Sequence, residues 1–222
     1  MLSTLAALLP GTAEAALFAT AVAVLNATPG VDFLLTVSRT LQGGLRTGVA
    51  AALGISAGCV LHALAAAFGL AALLGLYPGA MQAVQLLGAA YLAWLGIGLL
   101  RQGLRRAEAL DAAATLPRTE PRTWCTDFRT GLLTNLLNPK VALFFLAFLP
   151  QFVPTASPSP TASFLLLGAW FVLQGTLFLL LLALVSARLR RVRASPAALR
   201  VLRLSGGALF LGLALRLGGA RT

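Results

Sequence analysis

Charge is what this chain has least of. Charged residues fill 10% of its 222 positions, with six acids, one histidine and a single lysine, Lys140. A soluble domain carries roughly a quarter charged residues, so this composition does not furnish an ordinary water-facing surface. Metal ligands are equally scarce. The acids, His62, Cys59 and Cys125 form no cluster, so neither a metal nor a cofactor is expected. Two cysteines, one inside an apolar run and one outside it, make no disulfide framework. No basic stretch precedes the first apolar residues, so Ala13-Glu14-Ala15 reads as part of an uncleaved lead-in, not as a signal-peptide cleavage site.

Apolar residues are what the chain has in excess: 59% of positions, with a mean hydropathy of +0.89. They gather in six runs, Ala15–Val37, Gly48–Leu76, Met81–Leu100, Thr130–Phe152, Phe164–Ala187 and Leu204–Leu217. Crossing about 30 Å of hydrocarbon takes about 20 apolar residues in a helix. The last run is short, and spans only if Arg203 and Arg216 extend their side chains to the interface. The net charge of +11 follows the runs. Arg39 and Arg46 follow the first; Arg101, Arg105, Arg106, Arg118, Arg122 and Arg129 surround the segment after the third; Arg188, Arg190, Arg191, Arg193, Arg200 and Arg203 follow the fifth. The connections after runs two and four carry no lysine or arginine. That alternation puts the N-terminus outside and the arginine-rich loops in the cytoplasm. Basicity is thus a topology signal, and no nucleic-acid partner is expected.

The expected fold is all-α: a polytopic membrane protein with six transmembrane helices in two inverted three-helix halves. The halves are 1–100 and 129–222, joined by a polar cytoplasmic linker, 101–128. A short repeat supports this. Thr28-Pro29-Gly30-Val31 in the first run matches Asn138-Pro139-Lys140-Val141 in the fourth, with Asn26 and Asn135 just upstream. Each proline stands ten residues from an arginine at the cytoplasmic end, Arg39 or Arg129. At 1.5 Å per residue both breaks lie about 15 Å deep, near the bilayer midplane.

A mid-helix proline frees the carbonyl four residues earlier, here Leu25 and Asn135. In lipid such a carbonyl must face protein or a wet cavity. Thr28 and Asn138 are both N-cap types, so each break should end one half-helix and cap the next. The new N-termini favour an anion such as a carboxylate. Asp32 is read as the one acid deep in a run, the others lying at the outer edge or in the linker, and Lys140 as the one deep base. Two explanations stand: a buried ion pair pinning the halves, or a site for a small zwitterion with Asp32 as the titrating, proton-coupling group. The candidate substrate-binding set is Asn26, Thr28, Pro29, Gly30, Asp32, Asn135, Asn138, Pro139 and Lys140.

Other features read as packing. Gly54-Ile-Ser-Ala-Gly58 fits a hydrolase G-x-S-x-G pattern but lies in a helical run, where Ala50, Gly54, Gly58 and His62 share a face suited to helix packing. His62 is a hydrogen-bonded packing residue or a proton relay. Gln85 and Gln174 line a cavity or bond between helices. Tyr91, Trp94, Trp170 and Phe171 serve packing and interface anchoring. The glycine-rich second run suits a homodimer contact as readily as an internal one.

The stretches TPGVDFLLTVSRTLQGGLRTGVAAALGISAG and FRTGLLTNLLNPKVALFFLAFLPQF resemble the two signature regions of the LysE/RhtB family of amino-acid exporters, across about Leu17 to Leu217. Val31 stands where the family's first motif usually has a second proline. The resemblance implies a bacterial inner-membrane protein, not an enzyme, that exports amino acids or their derivatives using the proton gradient. Its partners would be the amino acid, protons and lipid. The alternatives are an intramembrane hydrolase using Ser56 and His62, or a structural membrane protein.

Overall fold

The computed structural model describes residues 8–70, 80–104, 123–154, 157–188 and 196–219. Among them every regular element is helical. This is what lipid demands of an apolar chain, since a helix satisfies its backbone hydrogen bonds within the segment. The helices are α1 (Thr12–Ala27), α2 (Val31–Gly43), α3 (Leu45–Ala65), α4 (Ala80–Leu104), α5 (Trp124–Leu136), α6 (Pro139–Leu143), α7 (Pro160–Arg188) and α8 (Pro196–Gly219). A wider π turn, Ala66–Leu70, extends α3. Another, Phe144–Phe148, and a 3₁₀ turn, Leu149–Phe152, extend α6.

By length and composition, two continuous helices can cross a membrane, Leu45–Leu70 and Pro160–Arg188. Two bent pairs qualify as spans when each is taken together: α1 with α2, bent by 52°, and α5 with the helix from Pro139 to Phe152, bent by 49°. The bends fall at the two prolines. Leu86–Arg101 within α4 is a shorter apolar helix. Lipid also explains the surface of α7, where Leu173, Leu177 and Leu181 line up at every fourth residue and stay 63%, 59% and 58% exposed.

One expectation needs correction. Within the segment 101–128, α4 continues to Leu104 and α5 begins at Trp124, its N-terminus capped by the Thr123 hydroxyl accepting from the Thr126 amide. Asp127 is therefore not a linker acid. It is fully buried in the first turn of α5, 3.4 Å from Arg39 of α2. Arg39 lies one turn before the end of α2, and its guanidinium turns inward to that carboxylate. Arg105, Arg106, Arg118, Arg122, Arg190, Arg191 and Arg193 lie outside the described residues, as do Glu108, Asp111 and Glu120. The side chains of Gln85, Arg203 and Arg216 lie outside them too.

Packing centres on α3, which lies against α5, α7 and α2, while α4 pairs with α8. Gly44, at φ 87°, turns the chain from α2 into α3 in a conformation that side chains resist. The α3–α5 seam is backbone on backbone. A Cβ on Gly54 would strike the Phe128 carbonyl, and one on Gly131 would strike that of Ala51. The expected small-residue face of α3 is thus an internal contact. A second core, of Phe18, Phe144, Phe145, Phe148, Phe164 and Phe171, fills the space beside the π turn, with ring centroids 4.6 Å apart for Phe144–Phe148 and 4.8 Å for Phe145–Phe171.

Overpacking a tight seam costs about 1–3 kcal/mol. Gly131→Ala should therefore lower the thermal-unfolding midpoint of the detergent-purified protein clearly, whereas Gly98→Ala, with nothing within 4 Å of its added methyl, should leave it unchanged.

Candidate functional site

The two breaks are built differently. At the second, Asn138 is extended (φ −81°, ψ 105°), as a residue before proline prefers, and its Oδ1 accepts from the Lys140 amide at 3.0 Å while Pro139 opens α6. That is the expected cap. At the first, Thr28 does not cap α2. Its hydroxyl donates back to the Val24 carbonyl at 2.6 Å, closing α1. Thr28 is extended before Pro29 (ψ 119°), and Gly30 is extended too (φ −137°, ψ −171°), so the helix resumes only at Val31. Pro29 therefore lies in the link and not at the first helical position.

The breaks meet. Asp32, in the first turn of α2, accepts on Oδ2 from Asn135 Nδ2 at 2.9 Å and from Asn138 Nδ2 at 3.0 Å. A carboxylate only accepts, so both amides must turn their nitrogens to it. The N-terminal dipole end of α2 favours the same negative charge. Asp32 Oδ1 is buried and has no protein partner. Lys140 goes elsewhere. Its Nζ donates to the Leu25 carbonyl at 2.7 Å and, more weakly, to that of Thr28 at 3.4 Å. These oxygens end α1, where the dipole is negative. Asp32 and Lys140 make no ion pair within 4 Å, so the pinning pair weighed from sequence is not formed.

Both carbonyls freed by proline are thus occupied. Leu25 O takes Lys140, while Asn135 O takes the Asn138 amide at 2.9 Å and lies 3.2 Å from His62 Nε2 of α3. Tyr91 of α4 donates to the Lys140 carbonyl at 2.8 Å. Sequence reasoning read His62 as a hydrogen-bonded packing residue or a proton relay, and Tyr91 as a packing and interface residue. Their roles here depend on which backbone oxygens the fold brings near, and no local pattern reports that.

Between α1, α2, α3, α6 and α7 lies a cavity of about 40 Å³. Asp32, Lys140, Asn26 and Gly30 border it, with Phe171 and Leu179 among its apolar walls. A buried water takes at least about 10–15 Å³, so the space suits a few waters and no amino acid. Asn26 stands against Gly175 of α7, its Nδ2 buried without a partner, and is not bonded to the Asp32 cluster. Pro29 and Pro139 make the breaks without bordering the cavity. Gln174 donates to the Ala19 carbonyl at 2.8 Å and accepts from Trp170, which settles it as an interhelical bond.

Ser56 and His62 do not meet. The Ser56 hydroxyl donates to Ala52 O at 2.9 Å and lies 2.7 Å from Thr176 Oγ1, while His62 faces the Asn135 carbonyl. A nucleophile and its base need a shared hydrogen bond. Cys59 is buried and free, and Cys125 is exposed and free.

Discontinuous helices around a half-buried acid and amine, in a body with lipid-exposed leucines, define a helical membrane protein of the translocator class. More particularly, the chain belongs to the LysE type translocator family, whose model matches residues 23–220. It is 36% identical to an uncharacterized membrane protein of Pseudomonas aeruginosa over 86% of this chain and 88% of that one. It is 30% identical to the homoserine/homoserine lactone efflux protein of Salmonella typhimurium (89% and 92%) and 30% identical to the leucine efflux protein of an Enterobacter strain (85% and 87%). No solved structure matches.

Removing the donor that holds a buried carbonyl costs about 1–3 kcal/mol. Lys140→Met should lower the protein's thermal stability by that amount, since Leu25 O loses its partner. Asn138→Gln, which still carries an amide but displaces it by one methylene, should cost less in the same assay.

Proposed function

We propose that this protein is a secondary transporter that exports amino acids or amino-acid derivatives across the bacterial inner membrane in exchange for protons. Family membership and the efflux proteins among its relatives support export of this substrate class. The observation that carries the reading is Asp32: half of its carboxylate is held by two amides from the second break, and the other oxygen is buried and unbonded beside the cavity. That oxygen is the acceptor for a substrate ammonium. Lys140 has three N–H donors, two of them committed to carbonyls, so one is left for a carboxylate, helped by the start of α6 behind Asn138. Asn26, Thr28 and Gly30 complete the wall on the first-break side, and Asn135 and Asn138 set the carboxylate of Asp32 in place.

Six spans in two inverted halves, 1–100 and 129–222, fit this reading. Corresponding elements pair, α3 with α7 and α4 with α8, and the two breaks bend by similar angles. The positive-inside pattern puts the N-terminus outside and the segments after α2, α4 and α7 in the cytoplasm. Since the cavity is smaller than any amino acid, loading requires α1–α2 and α5–α6 to part. Proton exchange then follows from one carboxylate with two occupants. Substrate ammonium binds the charged form facing the cytoplasm; protonation from outside discharges it and releases the substrate.

Asp32→Asn should abolish gradient-driven export in vesicles while the protein still reaches the membrane; retained proton-dependent export would rule out the coupling role. Lys140→Ala should weaken export of a free amino acid by about ten- to a hundredfold, the worth of a charged hydrogen bond. The corresponding lactone or amine should lose far less, and equal losses would remove Lys140 from the carboxylate site.

A further inference from the structure

His62 is the sole histidine and stands one bond outside the cluster just described. We infer that His62 is a positioning residue for substrate binding: by holding the Asn135 carbonyl it fixes the Asn135 amide that orients Asp32. The inference rests on the reading of Asp32 as the ammonium acceptor.

Asn135 is completely buried and is gripped by α3 at two points. Its side chain lies against Gly58, where an added Cβ would come within 2.6 Å of Oδ1. One turn later on α3, His62 Nε2 lies 3.2 Å from its carbonyl. A carbonyl only accepts, so Nε2 carries the proton. The imidazole is itself held, stacked on Phe145 with centroids 6.1 Å apart and planes 19° from parallel. From Asn135 the chain of contacts passes directly to Asp32 Oδ2 at 2.9 Å.

The arrangement mirrors that at the other break. Lys140, from the second half of the chain, holds the carbonyl that Pro29 frees; His62, from the first half, holds the one that Pro139 frees. A carbonyl that loses a donor leaves its helix end freer to turn about the break, and the side chain of the same residue turns with it; Asn135 O keeps the Asn138 amide at 2.9 Å, so without His62 it loses the contact that fixes its direction against α3. For Leu25 that motion moves an apolar group. For Asn135 it moves a hydrogen bond to the substrate's acceptor, so the loss registers as weaker binding.

The test uses the full chain in proteoliposomes, with the best transported of the standard amino acids and homoserine as the probe. His62→Leu removes the donor at similar bulk, while His62→Gln keeps an N–H at the reach of Nε2. Losing one buried hydrogen bond corresponds to about a tenfold change. The leucine variant should raise KM by about that factor, with the maximum rate per transporter changed less than about twofold, and the glutamine variant should return KM to within about threefold of wild type. A merely structural histidine would act the other way, lowering the amount of active protein and the maximum rate at unchanged KM. Unchanged KM in His62→Leu, or a glutamine variant as impaired as the leucine one, overturns the inference. If the leucine variant does not reach the membrane, His62→Met takes its place under the same criteria. Should Asp32→Asn keep full export, the site reading fails and this inference fails with it. Should Asp32→Asn abolish export while His62→Leu keeps the wild-type KM, only the role of His62 is lost.

Discussion

Pro29 and Pro139 each remove an amide proton from a helix surrounded by apolar side chains, and the carbonyls of Leu25 and Asn135 then lack their helical donors. Where water does not reach, an unbonded carbonyl costs several kcal/mol. The fold answers with side chains from across the molecule: the Lys140 ammonium on Leu25 and the His62 imidazole beside Asn135. Most of the centre follows from those two contacts. Lys140 is directed to the end of α1 and makes no ion pair with Asp32, so the carboxylate takes its hydrogen bonds from the amides of Asn135 and Asn138.

Separating the acid from the amine has a chemical consequence. A direct ion pair would satisfy both charges and leave a zwitterionic ligand nothing to bind. Held apart, each charge keeps unused capacity: an oxygen on Asp32 and an N–H on Lys140, facing the same small cavity. Helix dipoles make the separation tolerable, since Asp32 sits in the first turn of α2 and the Lys140 ammonium sits at the last carbonyls of α1. The glycine seam between α3 and α5 completes the arrangement. Without side chains at Gly54, Gly58 and Gly131, the two backbones approach closely enough for His62 to reach a carbonyl of its neighbour.

Much of this was legible in the order of residues. Long apolar runs state the solvent, prolines inside them state where helices must break, and a lone acid and a lone amine beside the breaks mark the centre. The cap at Asn138 was readable because capping is settled within three residues. The same reasoning failed at Thr28, where one further extended residue, Gly30, delayed the helix and turned the hydroxyl back to Val24. It failed again at Asp127, which looked like a linker acid because its neighbours are polar, and which the fold buries against Arg39.

The sequence by itself determined that this is a helical membrane chain broken at two prolines, and that Asp32 and Lys140 lie near the breaks. Those properties arise from local sterics and from hydropathy, which act between neighbours or on whole segments. Only the tertiary structure decided which donor meets which carbonyl: Lys140 with Leu25, His62 with Asn135, Tyr91 with Lys140. Such partners are up to 115 positions apart, on helices as distant in the chain as α1 and α6. A hydrogen bond is set by a few tenths of an ångström, and that distance exists only after the helices have packed.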